Sequence, residues 1–380
     1  MKRIILICHK DHLVSGSVRF AQQLFEQEFS VEIIPGDSNI HYIQTLIRIH
    51  SDAIFVLWQT EFLAPWLTSK GCKVAVFPMF DGCANAPDSY FKILDNTLLF
   101  NFSKGLHKKS VQAGVISYQL NWYPTKKKAI DTTAKQDRLF YWLRRPNSSL
   151  SESLITEAFS PYVEGIHIHD RPDAYQLSKF ISRIPDDYTT TSNWFEDKKE
   201  LLDLIASSKY YLAPRESEGI GMAFLEAMSN GCIVFANRNA THDQYIYHGH
   251  NGFLIDFESK DKALIKKQLK EAFKIIRSGK PIGENARKFV ENGAPIWQEQ
   301  SEKLMATLVT VDHAEPIEPS KKLAQIIGYF LAQTYYKSPR VYSFFAGIVL
   351  ELGFFNDNRL KNPIKPFFIA LKKIIKRKND

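Results

Sequence analysis

Tyr210-Tyr211-Leu212-Ala213-Pro214-Arg215-Glu216-Ser217-Glu218-Gly219-Ile220-Gly221-Met222-Ala223-Phe224-Leu225-Glu226-Ala227-Met228-Ser229-Asn230-Gly231 reads as strand, tight loop and helix. The β-rich run stops at Pro214, and acidic and glycine residues make the turn. A run of good helix formers then ends at Gly231, a natural C-terminal cap. Glu218 falls in the loop and Glu226 two turns into the helix. Gly219 and Gly221 let a ligand come close to the backbone at the helix start. Free N–H groups and the positive end of the helix dipole favour an anionic or hydroxyl-rich ligand there. On residue type alone, Glu218 reads equally well as a solvated loop carboxylate. Glu226 stands out more, because its helix is otherwise nearly all apolar and a buried charge needs a partner.

Working outward, the same alternation recurs on both sides. Toward the N-terminus, β-rich segments at 3–8, 31–35, 53–58, 74–80, 97–102 and 115–120 alternate with helical spacing at 18–27, 40–50, 62–69, 89–94 and 103–113. A second series starts with a strand at 139–143. It continues through a helix at 150–158, a strand at 163–169, a helix at 174–181, a Thr-rich loop and a helix at 198–207, and reaches the strand and helix quoted above. Strands at 232–236 and 252–257 follow, then helices to about residue 308. Short apolar runs alternating with amphipathic helices predict parallel, doubly covered sheets. The expected fold class is α/β, with two Rossmann-like domains facing a cleft and ligands at the C-terminal ends of the strands. The expected divisions are a first domain over 1–122, a linker over 123–137, a second domain over 138–312, a proline-bearing linker over 313–320 and a tail over 321–380.

The net charge of +8 sits in that tail, where twelve Lys and Arg face three acidic residues, so the preceding body is close to neutral. This disfavours a nucleic-acid-binding body. Phe367, Phe368, Leu371, Ile374 and Ile375 interleave with Lys372, Lys373, Lys376 and Arg377, the pattern of a basic amphipathic helix that lies on an anionic membrane. The alternative is a helical extension packed on the first domain. The longest apolar run, 341–350, is too short for a bilayer span of ~20 residues. Met1-Lys2-Arg3 and the short apolar run after it read as a first buried strand rather than a signal peptide. The four scattered cysteines read as buried thiols in a reducing compartment. His167 and His169 alternate on one strand with too few neighbouring ligands for a metal, so they read as packed histidines.

The run from Glu218 to Met228 resembles the Glu-x7-Glu motif of family 4 glycosyltransferases, which have the GT-B fold. Asn230-Gly231-Cys232-Ile233-Val234-Phe235-Ala236, Asn251-Gly252-Phe253-Leu254-Ile255 and the segment around Trp297 resemble that family's following elements in order. The resemblance is good over roughly 138–308 and loose over 1–120. It implies that Glu218 binds the hydroxyls of a donor sugar and Glu226 the ribose of its nucleotide. The N–H groups of Gly219, Ile220 and Gly221 would hold sugar and phosphate. Arg144 aligns with the family's phosphate-binding arginine. The family's lysine position falls on Ser149, and Arg145 is the candidate substitute, a bidentate phosphate binder rather than a point charge. Gly16 and Ser17 fall in the first strand–helix turn and could face phosphate or acceptor. Asp81 stands where relatives carry a histidine, and either orients the acceptor or makes a turn with Gly82. Asp243 is a candidate donor contact. Nucleobase contacts are expected near Asn193 and Trp194.

The resemblance therefore implies a retaining glycosyltransferase that uses a UDP- or GDP-type nucleotide sugar, with no cofactor and no metal. The acceptor is expected to be a glycan or a lipid-linked glycan. Its setting would be cell-surface polysaccharide synthesis, O-antigen or capsule in type, with the tail peripheral on the inner face of the cytoplasmic membrane. The rival is a non-catalytic nucleotide- or sugar-binding partner subunit of a glycan-assembly complex.

Overall fold

The computed structural model describes residues 2–124, 135–172 and 188–312, apart from scattered positions within those ranges. Most of the helix expected over 89–94, all of that over 174–181, Trp194 and the tail with its linker lie outside the described residues.

The first domain is a parallel six-stranded sheet of β1 (Lys2–Cys8), β2 (Phe29–Pro35), β3 (Ile54–Trp58), β4 (Lys73–Phe77), β5 (Leu98–Asn101) and β6 (Ser117–Gln119), in the order β2-β1-β3-β4-β5-β6. Helices α1 (Arg19–Phe25), α2 (Ile40–Ile49), α3 (Ala64–Ser69), α4 (Phe80–Cys83) and α5 (Lys104–Gln112) connect them. β3 is buried along its whole length, as a central parallel strand covered on both faces must be. β4 ends at Phe77, sooner than its apolar run suggests, and Phe80–Cys83 is a single helical turn that carries Asp81.

The second domain repeats the plan with β7 (Gln136–Trp142), β8 (Gly165–His169), β9 (Thr189–Ser192), β10 (Ser208–Leu212), β11 (Ile233–Asn237) and β12 (Phe253–Ile255), ordered β12-β11-β10-β7-β8-β9. The Thr-rich segment expected as a loop is the strand β9. It pairs in parallel with β8 from Ile166↔Thr189 to His169↔Ser192, and β-branched threonines suit a pleated edge. Its hydroxyls also meet the histidines of β8: Thr190 Oγ1 and Ser192 Oγ lie 2.8 and 2.9 Å from the ring nitrogens of His167. Packed against Phe140 and bonded to these hydroxyls, His167 and His169 are core residues. Among the described residues, no group of three or more His, Cys, Asp or Glu is placed to hold a metal ion. The four cysteines are buried and free.

Helices α6 (Glu152–Phe159), α7 (Lys198–Ser207), α8 (Met222–Ser229), α9 (His242–Tyr245), α10 (Lys262–Arg277) and α11 (Ile282–Val309) complete the second domain. α11 reaches across to the first. Gln300 Oε1 accepts from the Asn121 amide at 2.6 Å, Lys2 Nζ donates to the Val309 carbonyl at 2.6 Å, and Trp297 packs 6.1 Å from Phe102. The Tyr123 ring lies so close over Gly293 that any side chain there would strike it. Gln244 on α9 adds another bridge, accepting from the Lys104 amide and donating to the Phe102 carbonyl, each at 2.8 Å. One buried cluster runs through both domains, including Trp58, Phe102, Trp122, Tyr123, Tyr245 and Phe224. No described helix is long and apolar enough to cross a membrane.

Candidate functional site

In each sheet the strand order reverses at one point, between β1 and β3 in the first domain and between β7 and β10 in the second. Crevices at such points, beyond the carboxyl ends of the strands, are where open α/β sheets bind ligands. The two switch points of this chain meet each other. His12 and Ser17 follow β1, Gln59 follows β3 and Asp81 follows β4. Facing them, Arg144 and Arg145 follow β7, and the loop 213–221 follows β10.

That loop is fixed from behind by neutral hydrogen bonds. The Ala213 amide donates to the Phe235 carbonyl at 2.8 Å, Asn237 Nδ2 to the Glu216 carbonyl at 3.0 Å, and Thr241 Oγ1 to the Glu218 carbonyl at 2.7 Å. Gly221 closes it as the N-cap of α8, with φ +86° in the left-handed region, and a Cβ there would run into the Phe224 ring. Gly219 answers a different need. A Cβ on it would stand 2.9 Å from Met79 Cβ and 3.0 Å from Asp81 Oδ1, so the bare backbone is what lets the two domains close here.

Glu218 is 7 % exposed. Burial pushes its pKa up, while Arg215 foremost, then Arg144 and Arg145, pull it down, and the Asp81 charge acts with burial. Glu218 pairs with Arg215, whose Nη1 lies 3.9 Å from Glu218 Oε2 and 2.9 Å from Asp81 Oδ2. Asp81 Oδ1 accepts from Gln59 Nε2 at 3.3 Å. Gln59 Oε1 meets His12 Nε2, and His12 Nδ1 meets Ser17 Oγ at 2.6 Å. Burial lowers the His12 pKa.

The expected residues fall into two groups. Glu218, Gly219, Ile220, Gly221, Asp81 and Ser17 come together through the contacts above, and Gly16, at φ +66°, shapes the turn that presents Ser17. Arg144 lies over the Trp142 ring at 5.0 Å and acts on Glu218 through its charge. Arg145 leans elsewhere: its Nη1 is 4.0 Å from Glu216 Oε2, and Glu216 Oε1 accepts from Ser149 N and Oγ at 2.9 and 3.1 Å. Glu226 is half-buried on α8; burial raises the pKa of the Tyr211 hydroxyl, and the charges of Glu218 and then Glu226 add to it. Asp243 is exposed on α9 beside Lys104.

Sequence reasoning missed Arg215, Gln59 and His12. Arg215 was visible as a cation three residues before Glu218. Gln59 carried no signal in sequence, yet it is one of two described non-glycine residues at positive φ, at +55°. The other, Thr241, is the residue that holds the Glu218 carbonyl. Strained backbone of this kind collects at functional sites.

Residues 189–289, which contain β9 to β12 and the whole 213–221 loop, match the family model described as glycosyl transferases group 1. A search of curated protein sequences finds no match. Similar solved structures include HepE of Anabaena in complex with UDP-glucose, at 11% identity over 80% of this chain and 99% of that one, with a TM-score of 0.56. Sucrose-phosphate synthase from Thermosynechococcus elongatus matches at 11% identity over 81% and 100%, with a TM-score of 0.59. A glycosyltransferase from Rickettsia africae matches at 14% over 81% and 99%, with a TM-score of 0.57. At such identities the likeness is one of fold, and the fold is GT-B: two Rossmann-like domains with the carboxyl ends of their strands facing one cleft.

Proposed function

We propose that this GT-B chain is a glycosyltransferase that moves a sugar from a nucleotide-diphosphate sugar to a glycan or lipid-linked acceptor. The observation that carries the reading is the buried Glu218 carboxylate beside Arg215 at the start of α8, inside the group 1 segment. A carboxylate only accepts, which suits vicinal sugar hydroxyls, and its hydrogen bonds are charge-assisted. The N–H groups of Gly219, Ile220 and Gly221 and the α8 dipole supply the complementary donors for phosphate. Arg144 stabilises the departing diphosphate, with Arg145 as a more distant charge. Glu226 takes the ribose hydroxyls. Asp81, Gly16 and Ser17 form the acceptor-side wall.

In the same reading the anomeric configuration is retained and the cationic side chains do the work that a metal does elsewhere. The donor is of UDP or GDP type, and the UDP-glucose bound to HepE favours UDP. Asp243 contributes at the rim. The basic tail holds the enzyme at the inner face of the cytoplasmic membrane, in cell-surface polysaccharide synthesis of the O-antigen or capsule type.

Purified protein incubated with a panel of UDP-, GDP- and ADP-sugars and acceptor lipid extract should release nucleotide from one donor, with no loss in EDTA. Glu218→Ala should lower the release about 10³-fold. Absence of turnover with every donor, with nucleotide binding unchanged in Glu218→Ala, would leave a binding subunit as the better reading. Truncation after residue 320 should abolish co-sedimentation with anionic liposomes.

A further inference from the structure

Arg215 meets carboxylates of both domains. Its Nη1 is 2.9 Å from Asp81 Oδ2 and 3.9 Å from Glu218 Oε2, and the three side chains are only 15, 10 and 10 % exposed. In such surroundings a guanidinium and a carboxylate act on each other far more strongly than they do in water. Removing Arg215 leaves Asp81 and Glu218 as buried like charges without the partner they share.

From Asp81 the contacts run on into the first domain with a single polarity. Asp81 can only accept, so Gln59 turns its Nε2 to Asp81 and its Oε1 to His12. His12 then carries its proton on Nε2, which leaves Nδ1 to accept from the Ser17 hydroxyl. The four first-domain residues come from the segments after β1, β3 and β4, Asp81 from the helical turn α4, and Gln59 holds its place at φ +55°. The whole arm ends on the Arg215 guanidinium. Gly219, whose backbone lies against Met79 and Asp81, keeps the two domains close enough for it to do so.

We propose that Arg215 is a positioning residue for sugar transfer: it keeps Glu218 a hydroxyl-accepting carboxylate, and through Asp81 it ties that carboxylate to the Gln59–His12–Ser17 arm of the first domain. The substrate class rests on the glycosyl-transfer reading; the coupling of the three side chains does not. The groups that bear on the Glu218 carboxylate are Arg215 on its own loop, Arg144 and Arg145 after β7, Asp81 after β4, and Tyr211 beneath it on β10. Arg215 is foremost among the cations that oppose its burial.

The test titrates the full-length protein with 13C-labelled glutamate side chains, the Glu218 resonance being the one lost in Glu218→Gln. Arg215→Met should raise the Glu218 midpoint by about one pH unit or more, the scale set by a cation within a few ångströms. Arg215→Lys, which keeps the charge, should stay close to the wild type. Asp81→Asn should move the midpoint down, because it removes a like charge and frees Arg215 for Glu218. With a donor that the wild type turns over, the acid limb of kcat should shift in the same directions. An unmoved Glu218 midpoint in Arg215→Met, or an upward shift in Asp81→Asn, overturns the proposal. Should Arg215→Met fail to fold, Arg215→Gln and Asp81→Asn read the same coupling. The titration uses free protein, so it decides the proposal even if no nucleotide sugar is turned over, an outcome that counts against the transfer reading instead.

Discussion

The two walls of the cleft are built in opposite ways. In the second domain one loop, 213–221, carries Arg215, Glu216, Glu218, Gly219 and Gly221, and it leads directly into α8. In the first domain His12, Gln59 and Asp81 arrive separately from the ends of β1, β3 and β4 and meet only in the folded sheet. A wall written as one contiguous loop can be propped by its own neighbours. A wall assembled from three strand ends depends on the sheet register and on contact with the opposite domain. The first should fail by losing chemistry, and the second by losing alignment.

The largest effect should come from the contiguous wall. Glu218→Ala should lower kcat/KM about 10³-fold, since two charge-assisted hydrogen bonds at roughly 2 kcal/mol each are lost. Thermal denaturation should show little loss of stability, because burial already works against the Glu218 carboxylate in the folded state. A large fall in Tm would mean that Glu218 is structural, and the contrast between the walls would break.

Gly219→Ala comes next, and it tests where the walls touch. The added Cβ meets Met79 and Asp81, which belong to the opposite domain. Each domain should fold as before. Closure should suffer, and a misplacement on the order of 1 Å should reduce kcat/KM about 10²-fold. Small-angle scattering should report a more open particle. Unchanged scattering together with unchanged kinetics would show that the domains do not close through this contact.

His242 props the contiguous wall from behind. It is wholly buried against Phe224, neither ring nitrogen has a well-formed hydrogen bond among the described residues, and burial pushes its pKa down to about 4, with the Asn237 backbone and the Glu216 charge acting the other way. The folded state therefore binds fewer protons than the unfolded chain between about pH 4 and the ordinary histidine value of about 6.5. Stability is lost as the pH falls through that window, by about 2 kcal/mol at pH 5 from this residue. His167 and His169 are also held near 4 and contribute with the same sign. Comparing denaturation at pH 7 and pH 5, His242→Leu should lose less stability than the wild type. An equal loss would remove His242 from the acid response.

The difference between the walls also explains what could be read in advance. Two parallel-sheet domains followed from alternating strand and helix patterns, because covered parallel strands are apolar along their length, as β3 is and as β11 is up to Asn237. The Glu218–Gly221 loop was legible because glycine, carboxylate and helix start lie next to one another in sequence. β9 was not legible: four polar residues at a sheet edge look like a loop until β8 is beside them. Arg145 and Arg215 could not be told apart as site cations, because Glu216 and Ser149 decide where Arg145 leans and Asp81 decides where Arg215 does. Nothing in sequence set Gln59 apart from other glutamines, since its role depends on the ends of three strands.

Gln59 gives the smallest effect and the sharpest comparison. At φ +55° its side chain works against the backbone, and glycine there would be relaxed. Gln59→Gly therefore exchanges relief of about 1 kcal/mol of left-handed strain for a similar loss in chain entropy. Its stability should stay within about 1 kcal/mol of the wild type. Gln59→Ala keeps the strain and should be the less stable of the two. Both variants lose the amide that joins His12 to Asp81, and both should lose activity about 10-fold, the scale of one hydrogen bond to a charged group. Equal activity with unequal stability would show that the amide, not the backbone strain, does the aligning. A Gln59→Gly variant as active as the wild type would make the first-domain wall a scaffold and leave the chemistry to the 213–221 loop alone.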